Sequence, residues 1–336
     1  MKKRLLFAIL TLFALVLSAC GNQDAGKKEE GASGEEAKEI RIGYFPNMTH
    51  IATIVALEKG YFKEQFGDVN IKTHTFNDGS SFMEAMSTDA IDIGTVGPTP
   101  ALNTYIKNPK HEIISGAVNG GAVLVVAKDA DINSVKDLEG KKIAIPTFGS
   151  TQDVGLIKSL KDAGVDVKKV TKVKQAPADT AALILKGEID GAATQEPWGV
   201  NIETAAGAKL LLDENEFAWG SESTNTVVVA QTKFTSANPE LTKKYLKAHI
   251  QAINFINENP EEAIQLFLDH IKKITGKELS KEEVTKAFGR LKATTDVNEE
   301  VIKEMAKISK EAGYINSDKV EGLVNLSYLE EVLNEQ

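Results

Sequence analysis

The chain contains one cysteine, Cys20, in 336 residues, so no disulfide framework can hold it together. Arginine is almost as scarce. Beyond Arg4 only Arg41 and Arg290 occur, too few for an arginine-clamped oxyanion site. The five histidines (His50, His74, His111, His249, His270) show no paired metal spacing, so neither a metal nor another cofactor is expected. No Ser-His-Asp order and no phosphate loop is apparent. Basic charge is short as well. The formal net charge is −9, and −12 once Lys2, Lys3 and Arg4 are set aside. That acidity excludes nucleic acid, which needs a basic face.

What is present begins at the N-terminus. Lys2, Lys3 and Arg4 precede an apolar run from Leu5 to Leu17, too short for an ordinary membrane span and suited to a secretory signal. Leu17-Ser18-Ala19-Cys20 resembles a lipobox, which makes residues 1–19 a lipoprotein signal peptide and Cys20 the lipidated first residue, carrying diacylglycerol and palmitate. Residues 20–38 are rich in Gly, Lys and Glu with no branched apolar or aromatic side chain from Gly21 on. Such a stretch buries too little surface to repay its ordering entropy and reads as a tether. The expected location is outside the cytoplasm, anchored to the cell membrane.

The remainder is organised around Ile91 to Thr104, I-D-I-G-T-V-G-P-T-P-A-L-N-T. A short apolar strand breaks at Thr95-Val96-Gly97 and restarts as a helix with Pro98 and Pro100 in its first turn, where proline costs no hydrogen bond. A strand opening directly into a helix N-terminus is the edge at which open α/β sheets bind ligands. Its unpaired N–H groups suit an anion. The device recurs. Asp78-Gly79-Ser80-Ser81 and Phe148-Gly149-Ser150-Thr151 both lead into helices, and Asp89 to Asp92 echoes Glu188 to Asp190, each ahead of a strand and a proline-led turn. Strands alternating with helices imply a parallel α/β sheet. The strongly apolar runs Ala122–Ala127 and Thr226–Ala230 read as crossovers between two lobes of similar layout; two central sheet strands of one domain are the alternative. Lobe 1 spans 39–122 and 229–336, and lobe 2 spans 123–228. After Lys233 the pattern is helical, with amphipathic helices expected at 241–257, 260–271, 282–289, 299–312 and 320–333.

Ile40 to Tyr44, E-K-G-Y-F at Glu58 to Phe62, I-D-I-G at Ile91, D-L-x-G-K-K at Asp137 and D-G-A…E-P-W at Asp190 to Trp198 follow one another in this order. With these motifs the chain resembles the solute-binding proteins of ABC importers for nitrate, sulfonates, taurine and bicarbonate. The resemblance implies a two-lobed type II periplasmic-binding-protein α/β fold with a helical C-terminal part. It also implies a monomeric binding protein rather than an enzyme, which passes its ligand to a permease with its ATPase. Carried onto this sequence, the ligand contacts are Asn47, Thr49, Ser80, Ser81, Thr99, Ser150, Thr151, Gln152, Glu196 and Trp198.

At each helix start one hydroxyl can cap and its neighbour reach the ligand: Ser80 and Ser150 as caps, Ser81 and Thr151 as contacts. Glu196 is placed to meet an ammonium or hydroxyl, and Trp198 to line the cleft. The set contains no Arg or Lys, unlike some nitrate-type members. Phe45, Phe82, Phe148 and Trp198 flank the turns and favour an apolar tail. These features point to a small organic anion, an aliphatic sulfonate. Taurine, nitrate, bicarbonate and a thiamine pyrimidine precursor are the alternatives.

Overall fold

The computed structural model describes residues 37–335; the expected signal peptide, Cys20 and nearly all of the expected tether lie outside the described residues. Among the described residues eleven strands form two sheets. The first contains β1 (Glu39–Tyr44), β2 (Asn70–Thr75), β3 (Ile93–Val96), β4 (His111–Gly120), β10 (Thr224–Gln231) and β11 (Leu291–Ala293), ordered β11-β4-β10-β3-β1-β2. The second contains β5 (Ala122–Val126), β6 (Lys142–Ile145), β7 (Thr171–Lys174), β8 (Gly191–Gln195) and β9 (Lys209–Leu212), ordered β7-β6-β8-β5-β9.

The two orders share one plan. Three parallel strands (β2-β1-β3 or β7-β6-β8) are followed by an antiparallel strand, β10 or β5, and then by a fifth. The sheets are therefore mixed, not parallel throughout as the alternation of elements suggested. The apolar runs at Ala122 and Thr226 supply these antiparallel strands. The chain leaves the first sheet after β4 and enters the second with β5, then returns with β10. Both passages lie side by side, with Gly120 N donating to Ser223 O at 2.9 Å. Gly120 and Gly121 adopt φ of +69° and +72°, a region L side chains avoid. All of β10 belongs to the six-stranded sheet, so a division at 228/229 would cut a strand.

The internal echo has a physical counterpart. Asp92 Oδ2 accepts from Arg41 N on β1 at 2.9 Å, and Asp190 Oδ2 accepts from Lys142 N on β6 at 2.7 Å. In each half an aspartate before the third strand fastens the first.

Among the described residues thirteen α-helices cover the sheets: α1 (Ile51–Glu58), α2 (Tyr61–Phe66), α3 (Gly79–Ser87), α4 (Pro98–Lys107), α5 (Thr151–Asp162), α6 (Thr180–Leu185), α7 (Trp198–Ala206), α8 (Thr232–Ala237), α9 (Pro239–Glu258), α10 (Pro260–Thr275), α11 (Lys281–Phe288), α12 (Glu299–Glu311) and α13 (Ser327–Asn334). Helix α9 buries Leu241, Tyr245, Leu246, Ile253 and Ile256 against β1 and α1 in one core. Helix α12 packs on both α4 and α5, with Val301, Ile302 and Met305 among Val96, Leu102, Val154 and Ile157. The last helix starts at Ser327, not near 320. Residues 323–325 instead run beside β4, through Ile113 N to Leu323 O at 2.7 Å and Asn325 N to Ile113 O at 2.9 Å. No helix among the described residues is long and apolar enough to cross a membrane.

Candidate functional site

The carboxyl ends of β1, β3, β6 and β8 converge on a cavity of about 50 Å³, the scale of a few water molecules or one small anion. Three helices begin at its wall: α3 at Gly79, α4 behind Gly97, and α5 at Thr151. The positive ends of three helix dipoles therefore converge on one space.

The first-sheet side of the wall starts at Phe45 and Asn47. Asn47 Oδ1 accepts from Thr49 N at 2.9 Å and from Thr49 Oγ1 at 2.7 Å, so these two side chains fix one another. His50 is buried beside them and contacts Thr95 Oγ1 at 2.7 Å through Nδ1. Burial pushes its imidazole down to about 3, so it is neutral at physiological pH. Asp78 caps α3, with Oδ1 accepting from Ser80 N at 2.9 Å and Ser81 N at 3.0 Å.

The second-sheet side supplies Thr147, Ser150, Thr151, Gln152 and Gln195. Ser150 caps α5, accepting from Asp153 N at 3.2 Å. Gln152 Nε2 donates across to Asn225 Oδ1 at 3.1 Å, and Asn225 Nδ2 donates to Gly120 O at 2.7 Å. Two wall atoms are left over. Thr151 Oγ1 and Gln195 Oε1 are buried with no hydrogen-bond partner, a costly state for polar atoms unless a ligand or solvent completes them.

Of the ten expected contacts, the structure brings Asn47, Thr49, Ser150, Thr151 and Gln152 together in this wall. The others fall outside it. Ser80 is exposed and faces a separate crevice with Phe148 and Tyr314. Ser81 Oγ donates to Asp78 O at 2.9 Å. The division into a capping Ser80 and a reaching Ser81 is thus replaced by an Asp78 cap whose side chain serves both amides. Thr99 is fully buried and points back to Met305 Sδ at 3.5 Å.

Glu196 is also fully buried, but faces Arg290, whose Nη1 lies 2.7 Å from its Oε1. Burial pushes this carboxyl up, opposed by the Val200 N–H and by Arg290. Trp198 opens α7, half-buried and outside the wall. Of the four flanking aromatics only Phe45 lines the cavity. Phe82 stacks behind it at 5.9 Å, and Phe148 is 51% exposed.

Sequence reasoning missed His50, Asp78, Gln195, Asn225 and Thr226. Asp78 had a signal, since aspartate before a helix is a strong N-cap. Gln195 was readable from strand alternation, which sends it and Glu196 to opposite sides. Asn225 and Thr226 return from over a hundred residues away on β10, with no local mark.

Among the described residues neither lysine nor arginine lines the cavity. Arg41 pairs with Asp92, and Arg290 with Glu196 and Glu203. Among the described residues no group of three or more His, Cys, Asp or Glu could hold a metal. The site can bind a small polar molecule through amides and hydroxyls.

Two similarly built α/β sheets with the site where they face one another define the periplasmic-binding-protein fold. The chain superposes on the alkanesulfonate-binding protein of Xanthomonas axonopodis pv. citri, solved bound to MOPS, with a TM-score of 0.75 over 87% of this chain and 99% of that one at 19% identity. The chain belongs to the NMT1-like family, whose sequence profile matches residues 33–267. A Bacillus subtilis (strain 168) protein named for aliphatic sulfonate binding is 29% identical over 93% of this chain and 88% of its own length. The taurine-binding periplasmic protein of Escherichia coli (strain K12) is 28% identical over 67% of this chain and 69% of its own.

Proposed function

We propose that the protein is the extracytoplasmic substrate-binding component of an ABC importer and captures a small aliphatic sulfonate between two lobes, one on each sheet. The observation that carries this reading is Thr151 Oγ1. It is a buried hydroxyl without a partner at the first position of α5, in a wall where three helices start. A sulfonate brings only acceptor oxygens and a permanent negative charge. It would take the Thr151 hydroxyl and free helix amides without needing a cationic side chain. The names of the B. subtilis and X. axonopodis proteins support the same chemistry.

Asp78 is the carboxylate of the wall, and Gln195 Oε1 is an acceptor without a donor. Both favour a second reading, an aminosulfonate such as taurine. Its ammonium would meet Asp78, not Glu196.

In this reading Cys20 carries the lipid that holds a monomeric protein at the membrane, and closed lobes deliver the ligand to the permease. Catalysis has no part in it. Thermal melting of the mature protein against methanesulfonate, longer alkanesulfonates, taurine, nitrate, bicarbonate and a thiamine pyrimidine tests it. A ligand at a hundredfold excess over its Kd stabilises the folded state by about 2.7 kcal/mol. Alkanesulfonates should raise the melt most. A shift with the pyrimidine alone would overturn the anion site.

A further inference from the structure

The stretch that carries Ser150, Thr151 and Gln152 into the cavity is gripped at both ends by residues of the other side. At one end Asn103 Nδ2, on α4, donates to Gly149 O at 3.1 Å. At the other, Tyr314 OH donates to Asp153 Oδ2 at 2.5 Å. Asp153 is fully buried and also accepts from Gly149 N at 2.8 Å and from Lys172 Nζ at 2.7 Å. Lys172 donates to Tyr314 OH as well, at 2.7 Å, and lies between two rings, 5.6 Å from the centroid of Phe148 and 5.4 Å from that of Tyr314. Asp153, Lys172, Phe148 and Gly149 all belong to the five-stranded side. Tyr314 does not: it follows α12 in a segment tied to β4 by the Ile113–Leu323 and Asn325–Ile113 hydrogen bonds.

We infer that Tyr314 is a positioning residue for ligand retention, its hydroxyl locking Asp153, and with it the Thr151 end of α5, onto the six-stranded side. The inference rests on the proposed capture of a ligand between the two sides. The chemistry suits a lock. Lys172 compensates the Asp153 charge within its own side, so parting the sides strands no buried ion. The tyrosine adds a short bond to a carboxylate, among the stronger hydrogen bonds proteins make. That bond forms only when the sides meet. Its free energy therefore opposes release and leaves encounter with the ligand unchanged. The half-buried Tyr314 opens onto the crevice shared with Ser80 and Asn103, apart from the cavity, so it acts through α5 and not by touching ligand.

The test is Tyr314→Phe, which keeps the ring over Lys172. Trp219 is a built-in reporter, since its Nε1 donates to Glu304 Oε2 of α12 at 2.6 Å from the five-stranded side. Stopped-flow fluorescence with an alkanesulfonate should show dissociation about tenfold faster or more. Association should stay within about twofold, and melting of the ligand-free protein should change little. Unchanged dissociation, or an affinity loss matched by a lower ligand-free melting temperature, overturns the lock. If the wild type binds no alkanesulfonate, it is the ligand reading that fails. The lock is then read in ligand-free protein, in a Trp198→Phe background, by acrylamide quenching of Trp219. Greater quenching in the variant supports it, and equal quenching overturns it.

Discussion

A Cβ added at Gly97 would lie 2.5 Å from Thr151 Oγ1. Gly97 precedes α4 and Thr151 begins α5, so a missing side chain on one helix start leaves room for the hydroxyl of the other. The φ of Gly97 is −64°, which any residue adopts. Only the close approach requires glycine here.

Gly97→Ala should consequently fold and yet keep the starts of α4 and α5 apart. Titration calorimetry with the best alkanesulfonate should show affinity weaker by about 1.4 kcal/mol or more, a factor of ten. Binding equal to wild type would mean that the ligand does not need this approach.

Removing the unpartnered hydroxyl should be costly only when ligand is present. Thr151→Ala is expected to lose roughly 1.5 to 3 kcal/mol of binding, the value of a hydrogen bond to a charged group. Ser81→Ala and Thr99→Ala should leave affinity unchanged, because those hydroxyls face Asp78 O and Met305 Sδ. A reversed pattern in the same calorimetric series would move the ligand toward α3.

Arg290 joins the two sides at the crossing. Its Nη1 lies 2.7 Å from Glu196 Oε1, and its carbonyl accepts from Gly121 N at 2.8 Å. Arg290→Met should leave the Glu196 carboxyl buried without its cation. Urea unfolding is expected to show a loss of about 3 to 5 kcal/mol. Protonation of Glu196 at lower pH should recover part of it. A loss that is small and independent of pH would show that the pair is dispensable.

Binding should be flat between pH 5 and 8. A sulfonate stays ionised throughout, and His50, held down to about 3 by burial, stays neutral. A change of affinity in that interval, measured at constant ionic strength, would point to a titrating ligand instead.

Stability, by contrast, should depend on acid. Burial lowers His50 to about 3 and His249 to about 4, against about 6.5 unfolded. Below 6.5 the unfolded chain binds protons that the folded chain refuses, so stability falls with falling pH. Each histidine contributes about 1.4 kcal/mol per pH unit, down to pH 4 for His249 and pH 3 for His50. Urea unfolding between pH 7 and 4.5 measures the slope. Imidazole resonances of His50 and His249 that titrate near 6.5 in the folded protein would contradict it.

Much of this architecture was legible from local signals. Pro98 and Pro100 place a helix start, Gly60 ends α1 in the left-handed conformation with φ of +75°, and Asp92 and Asp190 mark matching strand starts. Strands β9 and β11 were not legible, because the Lys209–Leu212 run shows no alternation and β11 has only three residues. Of the hydroxyls read at helix starts, Thr151 lines the cavity, while Ser81 and Thr99 lie outside its wall. The motif fixes a position along the chain, while the neighbouring helix decides what the hydroxyl meets.

The sequence by itself determined the alternation of strands and helices, the helix starts and the scarcity of cations. Each depends on residues a few positions apart: φ locked by proline, φ freed by glycine, caps, and the count of arginines. The tertiary structure alone decided which polar atoms share the cavity. Asn225 arrives on a strand of the other sheet to meet Gln152, seventy-three positions away, and Arg290, ninety-four positions after Glu196, offers that buried carboxylate a cation. Long-range partners of that kind compete for each side chain by burial and charge, and no local pattern records the outcome.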